Sequence, residues 1–308
     1  MIDAKIVADS VGPNGVRITT FKITFPRFIL PEFNTHRMLS KNASSSRAIP
    51  VSKSIEIVKN TPFIPAAFNK NAKGMQGGDV MSSEEQSKAA TEWLKARDAA
   101  VASAEQFLSM GVSKQYANRV LEPFSWATVV VTATEWANFF ALRCHYMAQP
   151  EICELAMQML AAFQNSTPQP LTAGQWHLPF IKQEDRDEVW DENMDHMQIN
   201  GTPIYDNAEV AIKRSVARCA RVSYLNHDGK KSTIQEDLAL YDRLLGSAPV
   251  HASPAEHQAM ARNIVEDCFA NRGFTDKQYS GNLRGWIQYR KTLTGENVTE
   301  FTGPILKP

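Results

Sequence analysis

The run from Thr35 to Arg47 (Thr-His-Arg-Met-Leu-Ser-Lys-Asn-Ala-Ser-Ser-Ser-Arg) packs two guanidiniums, an imidazole and a series of small hydrogen-bonding side chains into one short stretch. Such a stretch does not form a core. Hydroxyls and amides favour turns because they bond to their own backbone, and arginine offers a planar fork of donors matched to phosphate oxygens. The chemistry it suggests is the holding of a polyanionic ligand; the plainer alternative is a solvated surface loop.

Two other places carry candidate chemistry. Arg143 follows Phe139-Phe140-Ala141-Leu142 on a helix expected to be largely buried. A buried arginine is costly unless paired, so it closes an ion pair or faces a ligand. His251-Ala252-Ser253-Pro254-Ala255-Glu256-His257 places a cap serine, a first-turn proline and a third-position glutamate in register for a helix start. Free N–H groups and the positive dipole end make it a second candidate anion or cofactor contact, against the simpler reading of a capping box. Its histidines are six apart with the helix start between them, whereas zinc-binding pairs on one helix sit four apart, so no metal is expected.

Nucleophile and phosphate-loop signatures are missing. There is no G-x-S-x-G elbow, no G-x-G-x-x-G and no G-x-x-x-x-G-K. Cys144, Cys153, Cys219 and Cys268 are widely separated and read as buried free thiols in a reducing compartment.

The elements that must position these residues are legible in part. Ile6 to Val11, the turn Gly12-Pro13-Asn14-Gly15 and the β-branched and aromatic run through Val16, Ile18, Phe21, Ile23 and Phe25 predict a hairpin. A short helix follows at 28–33. Ser82-x-x-Glu85 is a capping box for a long helix whose apolar face runs from Trp93 to Leu108 and which Gly111 closes. Arg97 breaks that face, and its stem is expected to carry the charge out to water. Ser113 starts a helix through to Pro123, another runs from Thr134 through Leu142, and Pro150 opens one through Phe163. Further on, Asp206-x-x-Glu209 caps a helix to Ser223 and Ser232-x-x-Gln235 caps one closed by Gly246. Residues 60–80 and 165–205 are long loops, the second ending in an acidic run from Glu184 to Glu192.

Composition sets limits. The chain has 308 residues, enough for a substantial core, and equal numbers of basic and acidic side chains, 33 of each. No global basic field argues for nucleic acid or an anionic membrane. No apolar run approaches the roughly 20 residues of a membrane span, and the start lacks a signal-peptide pattern, so a cytoplasmic protein is expected.

Taken together the motifs resemble the flavin-dependent thymidylate synthases, the ThyX family. The signature R-H-R-x-x-S-x-N-E-x-S-x-R is matched in spacing by His36, Arg37, Ser40, Asn42, Ser45 and Arg47. Downstream, Asn138-Phe139-Phe140-Ala141-Leu142-Arg143 and Ala148-Gln149-Pro150-Glu151-Ile152 are similar to the family's N-F-x-x-L-R and A-Q-x-E-I words. Ala220-Arg221-Val222-Ser223-Tyr224 and the segment 251–257 resemble the words A-R-V-S-F and H-x-T-P-F-E-H, which the family carries upstream of its signature; here they lie downstream, a circularly permuted order. Such an order is cheap when termini lie close at the surface.

The resemblance implies a single α+β catalytic domain over 1–308, with a central antiparallel sheet flanked by long helices and a C-terminal extension over 258–308. It implies a homotetramer with FAD and dUMP at subunit interfaces, and transfer of a one-carbon unit from methylenetetrahydrofolate to C5 of dUMP with NADPH as reductant. By position, His36, Arg37, Asn138, Ser253 and Ser223 would contact FAD. Ser45 and Arg47 would hold the nucleotide, Arg143 would polarise the uracil, and His251 would handle a proton or touch the folate. A nucleotide-binding arginine of the family aligns with either Asn118 or Arg119. The chain departs from the pattern at Thr35 and Ala43, where the family has arginine and glutamate, and at Thr132 and Thr134, which replace flavin contacts. Arg284 or Arg290 is a candidate to restore the charge missing at Thr35. Hydroxymethylation of dUMP, another pyrimidine nucleotide, or a binding protein without turnover are the alternatives.

Overall fold

The computed structural model describes residues 1–186, 207–222, 232–246, 250–262 and 279–297. Ser223, Cys268 and the 165–205 loop beyond residue 186 lie outside the described residues. The chain divides into two compact units. One comprises Met1–Val7, Thr19–Thr167 and Arg221–His227, the other Ala8–Ile18, Pro168–Ala220 and Asp228–Pro308.

In the first unit, strand β2 (Arg17–Pro26, from Thr19 onward) pairs antiparallel with β4 (Trp126–Ala133), in register from Thr19↔Ala133 to Pro26↔Trp126. The short strand β3 (Ser40–Ala43) lies on the other side of β4, from Ser40↔Thr132 to Ala43↔Val129. Strand β1 (Asp3–Val11) neighbours β2, giving the order β3-β4-β2-β1. Strand alternation sends Phe21, Ile23, Phe25, Val129 and Val131 to one face. Helices α1 (Leu30–Asn34), α5 (Ala137–Arg143) and α6 (Pro150–Asn165) cover it with Phe33, Phe139, Ile152, Leu155 and Met159. Each such side chain, fully buried, contributes about 2 kcal/mol. A second cluster joins α2 (Val51–Asn60) to α3 (Ser83–Ser109) through Val51, Ile55, Val58, Val101 and Ala104. The mixed fold with helices against an antiparallel sheet is the one expected.

Local signals account for most boundaries. The Ser82–Glu85 capping box opens α3, and Gly111 follows its end at φ +71°, a conformation costly for any side chain. Pro150 occupies the first turn of α6. Arg97 departs from expectation. It pairs with Asp98 at 2.7 Å and donates to the Val58 and Lys59 carbonyls at 3.4 and 3.2 Å, so it serves the C-terminal end of α2. The helix expected from Ser113 to Pro123 is broken. Helix α4 (Lys114–Ala117) gives way to a 3-10 segment over Arg119–Phe124, because Pro123 has no N–H to donate and its ring clashes with α geometry. The helix expected from Thr134 starts at Ala137, Trp136 being its cap residue and packing edge-on to Phe21 at 5.1 Å.

In the second unit, β5 (Gln169–Pro170) pairs in parallel with Ser10 and Val11, and β6 (Trp176–His177), β7 (Ala259–Ala261) and β8 (Trp286–Gln288) form a three-stranded antiparallel sheet. Helices α7 (Asn207–Arg221) and α8 (Ile234–Leu245) pack through Ala217, Ala220 and Leu240. The box that caps α8 is Thr233 with Glu236, one residue later than expected. Fully buried Arg214 and part-buried Arg218 on α7 face the carboxylates of Asp185 and Asp237, both almost completely buried. Among the described residues no helix is long and apolar enough to cross a membrane.

His177 and His257 are both buried in this unit, and Ser10 Oγ lies 2.9 Å from His177 Nδ1. Burial lowers each imidazole from 6.5 to about 3, with the His177 ring lowering His257 further. A depressed folded pKa leaves stability intact above pH 6.5 and removes it as the pH falls towards 3. Each histidine therefore withdraws about 1.4 kcal/mol per pH unit in that window. The readout is the summed fluorescence of the six tryptophans, to which Trp286, its ring 6.4 Å from that of His177, contributes. It should record unfolding in urea at concentrations that fall steeply between pH 6.5 and 4. A flat profile over that range would contradict the assignment of two neutral buried histidines.

Candidate functional site

The signature run is held by the sheet and by two helices. Phe33 at the end of α1 meets Phe139 of α5 edge-on at 5.8 Å, and the His36 ring meets the same Phe139 at 5.0 Å. Lys41 Nζ takes the carbonyls of Asn34 and His36 at 3.2 and 2.7 Å, closing the turn between α1 and β3. Across this frame Arg143 Nε donates to His36 Nε2 at 2.8 Å, joining residues 107 apart in sequence. Both side chains are half-buried. Burial first, then the Arg143 and Lys41 cations, push the His36 pKa down to about 4. The imidazole is neutral at physiological pH and acts as an acceptor towards Arg143. Arg143 has no carboxylate partner among the described residues, so of the two expectations for a half-buried arginine the ion pair does not occur.

Asn138 lies on the first turn of α5 and is exposed, as are Arg37 and Arg47. Ser45 is half-buried, and its Oγ accepts the Arg47 N–H at 3.3 Å in a local turn. The neighbouring Ser44 is tied to β4 in both directions, accepting from Thr128 N at 3.0 Å and donating its own N–H to Thr128 O at 2.8 Å. The loop beyond is fixed by Asn118, 2% exposed, whose Nδ2 donates to Ser46 O at 2.6 Å and Ile49 O at 2.8 Å. Sequence reasoning weighed Asn118 only as a register alternative to Arg119 and missed this clamp. Arg119 itself is exposed and pairs with Glu122 at 2.9 Å, a carboxylate that also takes Arg27 at 3.0 Å.

The departures from the signature have structural counterparts. Thr35 is exposed, and its hydroxyl donates to Glu32 O at 2.7 Å. Thr132 is wholly buried in β4, its hydroxyl 2.7 Å from that of Thr20 across the strand pair. Buried this way, Thr132 presents no surface to a ligand.

His251 and Ser253 belong to the second unit and both are exposed. The His251 N–H donates to Leu244 O at 3.0 Å. The helix start read at Ser253 is a four-residue 3-10 segment, Ser253–Glu256, whose cap position is Ala252 with no side-chain cap. Glu256 is drawn instead to Arg290, and the chain turns directly into β7. Arg290 also pairs with Glu296 at 2.7 Å, so its charge is neutralised locally; Arg284 is exposed. Thus the structure sets His36 against Arg143; Arg37, Ser45, Arg47 and Asn138 belong to the same unit, and His251 and Ser253 to the other. Ser223 lies outside the described residues.

Residues 17–169 match the family model described as thymidylate synthase complementing protein. No curated protein matches the chain. Among solved structures, the chain is similar to the UMP/dUMP methylase PolB from Streptomyces cacaoi. With 5-Br UMP bound, that structure gives a TM-score of 0.44 at 19% identity over 53% of this chain and 88% of the other. With 5-Br dUMP bound, the values are 0.43, 18%, 53% and 90%.

Proposed function

Residues 17–169 belong to the thymidylate synthase complementing protein family, and from that premise we propose that this protein transfers a one-carbon unit from methylenetetrahydrofolate to C5 of dUMP, with FAD and NADPH. The observation that carries the reading is the Arg143–His36 hydrogen bond. It ties the signature run to the N-F-x-x-L-R helix and leaves a half-buried guanidinium without a carboxylate. A fixed cation of that kind stabilises negative charge as it develops on a pyrimidine ring, so the base is activated without a cysteine nucleophile.

The residues present suit a flavin in kind. His36, Arg37 and Asn138 are polar groups on accessible turns, beside the exposed apolar side chains Met38 (37%) and Leu142 (54%) that a ring system covers well. FAD, when bound, supplies the hydride chemistry of the reaction. His36, Arg37, Asn138, Ser253 and Ser223 are its proposed contacts in this chain. Ser45 and Arg47 hold the nucleotide, most simply by its phosphate, and Arg119 is a further contact if it leaves Glu122. His251, exposed on the second unit, is the proposed proton carrier. The family also suggests a cytoplasmic homotetramer; the motif order, with residues 220–224 and 251–257 downstream of the signature, we read as a permutation of the family's.

One observation favours a variant of the reaction. The Thr35 hydroxyl is spent on Glu32 O and Ala43 carries no charge, so the grip on the nucleotide differs from that of the family signature. Hydroxymethylation of dUMP, or a different pyrimidine nucleotide, is the second reading. Purified protein incubated with FAD, methylenetetrahydrofolate, NADPH and dUMP or dCMP should release dTMP from dUMP, read by mass spectrometry. Hydroxymethyl-dUMP, or product from dCMP alone, would replace the first reading by the second. Protein that takes up no flavin and turns over neither nucleotide would sink both.

A further inference from the structure

Resting on the functional reading above, we infer that His36 is a positioning residue for Arg143, its imidazole Nε2 anchoring the guanidinium by Nε so that both terminal amino groups face the pyrimidine base as a fork. The anchor is itself fixed from three sides. Arg143 Nε lies 2.8 Å from His36 Nε2, the ring stands edge-on to Phe139 at 82°, and Lys41 Nζ holds the His36 carbonyl at 2.7 Å. Phe139 lies one helical turn before Arg143 on α5, so the same helix that carries the arginine also carries the ring against which its partner leans.

The chemistry follows from how a guanidinium divides its donors. An arginine bound through its terminal nitrogens has little left to offer; one bound through Nε keeps Nη1 and Nη2 as two donors in one plane. That fork matches two adjacent acceptors, which a pyrimidine edge provides once N3 has lost its proton beside a carbonyl oxygen. Because Nε2 accepts, the neutral imidazole must carry its hydrogen on Nδ1, so a second donor points away from Arg143. The depressed His36 pKa keeps the imidazole uncharged throughout the neutral range, and the bond from Arg143 selects the tautomer. A lysine at 143 could supply the charge but neither the anchor nor the fork.

The test reads the anchor first, without substrate. In ¹⁵N-labelled protein at pH 7, His36 should show a protonated Nδ1 and a bare Nε2, and the Arg143 Nε–H should exchange with solvent at least tenfold more slowly than in a free arginine. His36→Leu should remove that protection, and His36→Gln, which keeps an acceptor oxygen, should restore most of it. A protonated Nε2 in the wild-type protein, which needs no variant, or unchanged exchange in His36→Leu would overturn the inference. In turnover of dUMP at saturating FAD, His36→Leu should cost about tenfold or more in kcat. In an Arg143→Ala background it should cost nothing further, whereas losses that multiply would show that His36 acts independently of the arginine. Intact Nε protection in a protein that neither binds nor turns over dUMP would remove the functional reading and leave the anchor itself standing.

Discussion

Arg143→Ala protein is expected to keep its flavin and to lose C5 transfer to dUMP by roughly a thousandfold, the upper range for removing a donor that stabilises developing charge. The structural cost of the change is small. Arg143 is half-buried, has no carboxylate partner among the described residues, and gives up one hydrogen bond to His36, worth about 1 kcal/mol. Helix α5 is anchored by Phe139, so truncation at 143 leaves the turn in place. Activity and stability are thereby separated, and the loss should fall in kcat rather than in flavin affinity. Steady-state kinetics with the flavin spectrum recorded on the same samples is the measurement. Turnover within threefold of wild type would take Arg143 out of the mechanism.

The second large effect belongs to stability. Asp237→Ala is expected to destabilise the second unit by about 3–5 kcal/mol, because it removes the carboxylate facing both Arg214 and Arg218 and leaves buried cations short of a partner. Arg214 is wholly buried, so water cannot take the place of Asp237. Asp185 remains, with oxygens 2.8 Å from Arg218 and 3.7 Å from Arg214, but one carboxylate then serves two guanidiniums. Asp237→Asn, which keeps an acceptor oxygen without the charge, should fall between wild type and alanine. Urea unfolding followed by tryptophan fluorescence measures all three, and an alanine variant within 1 kcal/mol of wild type would show that the cluster has little bearing on stability.

What the sequence disclosed and what it withheld divide along a physical line. Signals that act within one turn were legible: Ser82 with Glu85, Gly111, and Pro150 at the head of α6. Where two adjacent residues offered the same signal, composition alone chose wrongly. Ser232 with Gln235 and Thr233 with Glu236 have equal spacing, and the charged acceptor closes the box. Where a local signal competes with a distant partner, it loses. Glu256 leaves the helix start at Ser253 for Arg290, 34 residues on. The site shows the same limits. The spacing of the signature and the run ending at Arg143 were readable, but the contact between His36 and Arg143 depends on how α1 and α5 meet over the sheet. Asn118 gave no signal, since its work lies at carbonyls about 70 residues earlier.

That amide has a consequence for the energetics of encounter. The loop over 44–49 is tied down by Asn118 and by Ser44, uncharged groups that act alike at any ionic strength. Its conformational entropy, about 1–2 kcal/mol for each residue fixed, was surrendered during folding. A nucleotide that docks on Ser45 and Arg47, as proposed, therefore meets a loop that is already tied down, with the exposed Arg47 side chain left to order. Association should then be a single-step event whose observed rate rises linearly with nucleotide concentration, and raised salt should weaken it through that arginine while leaving the loop as it stands.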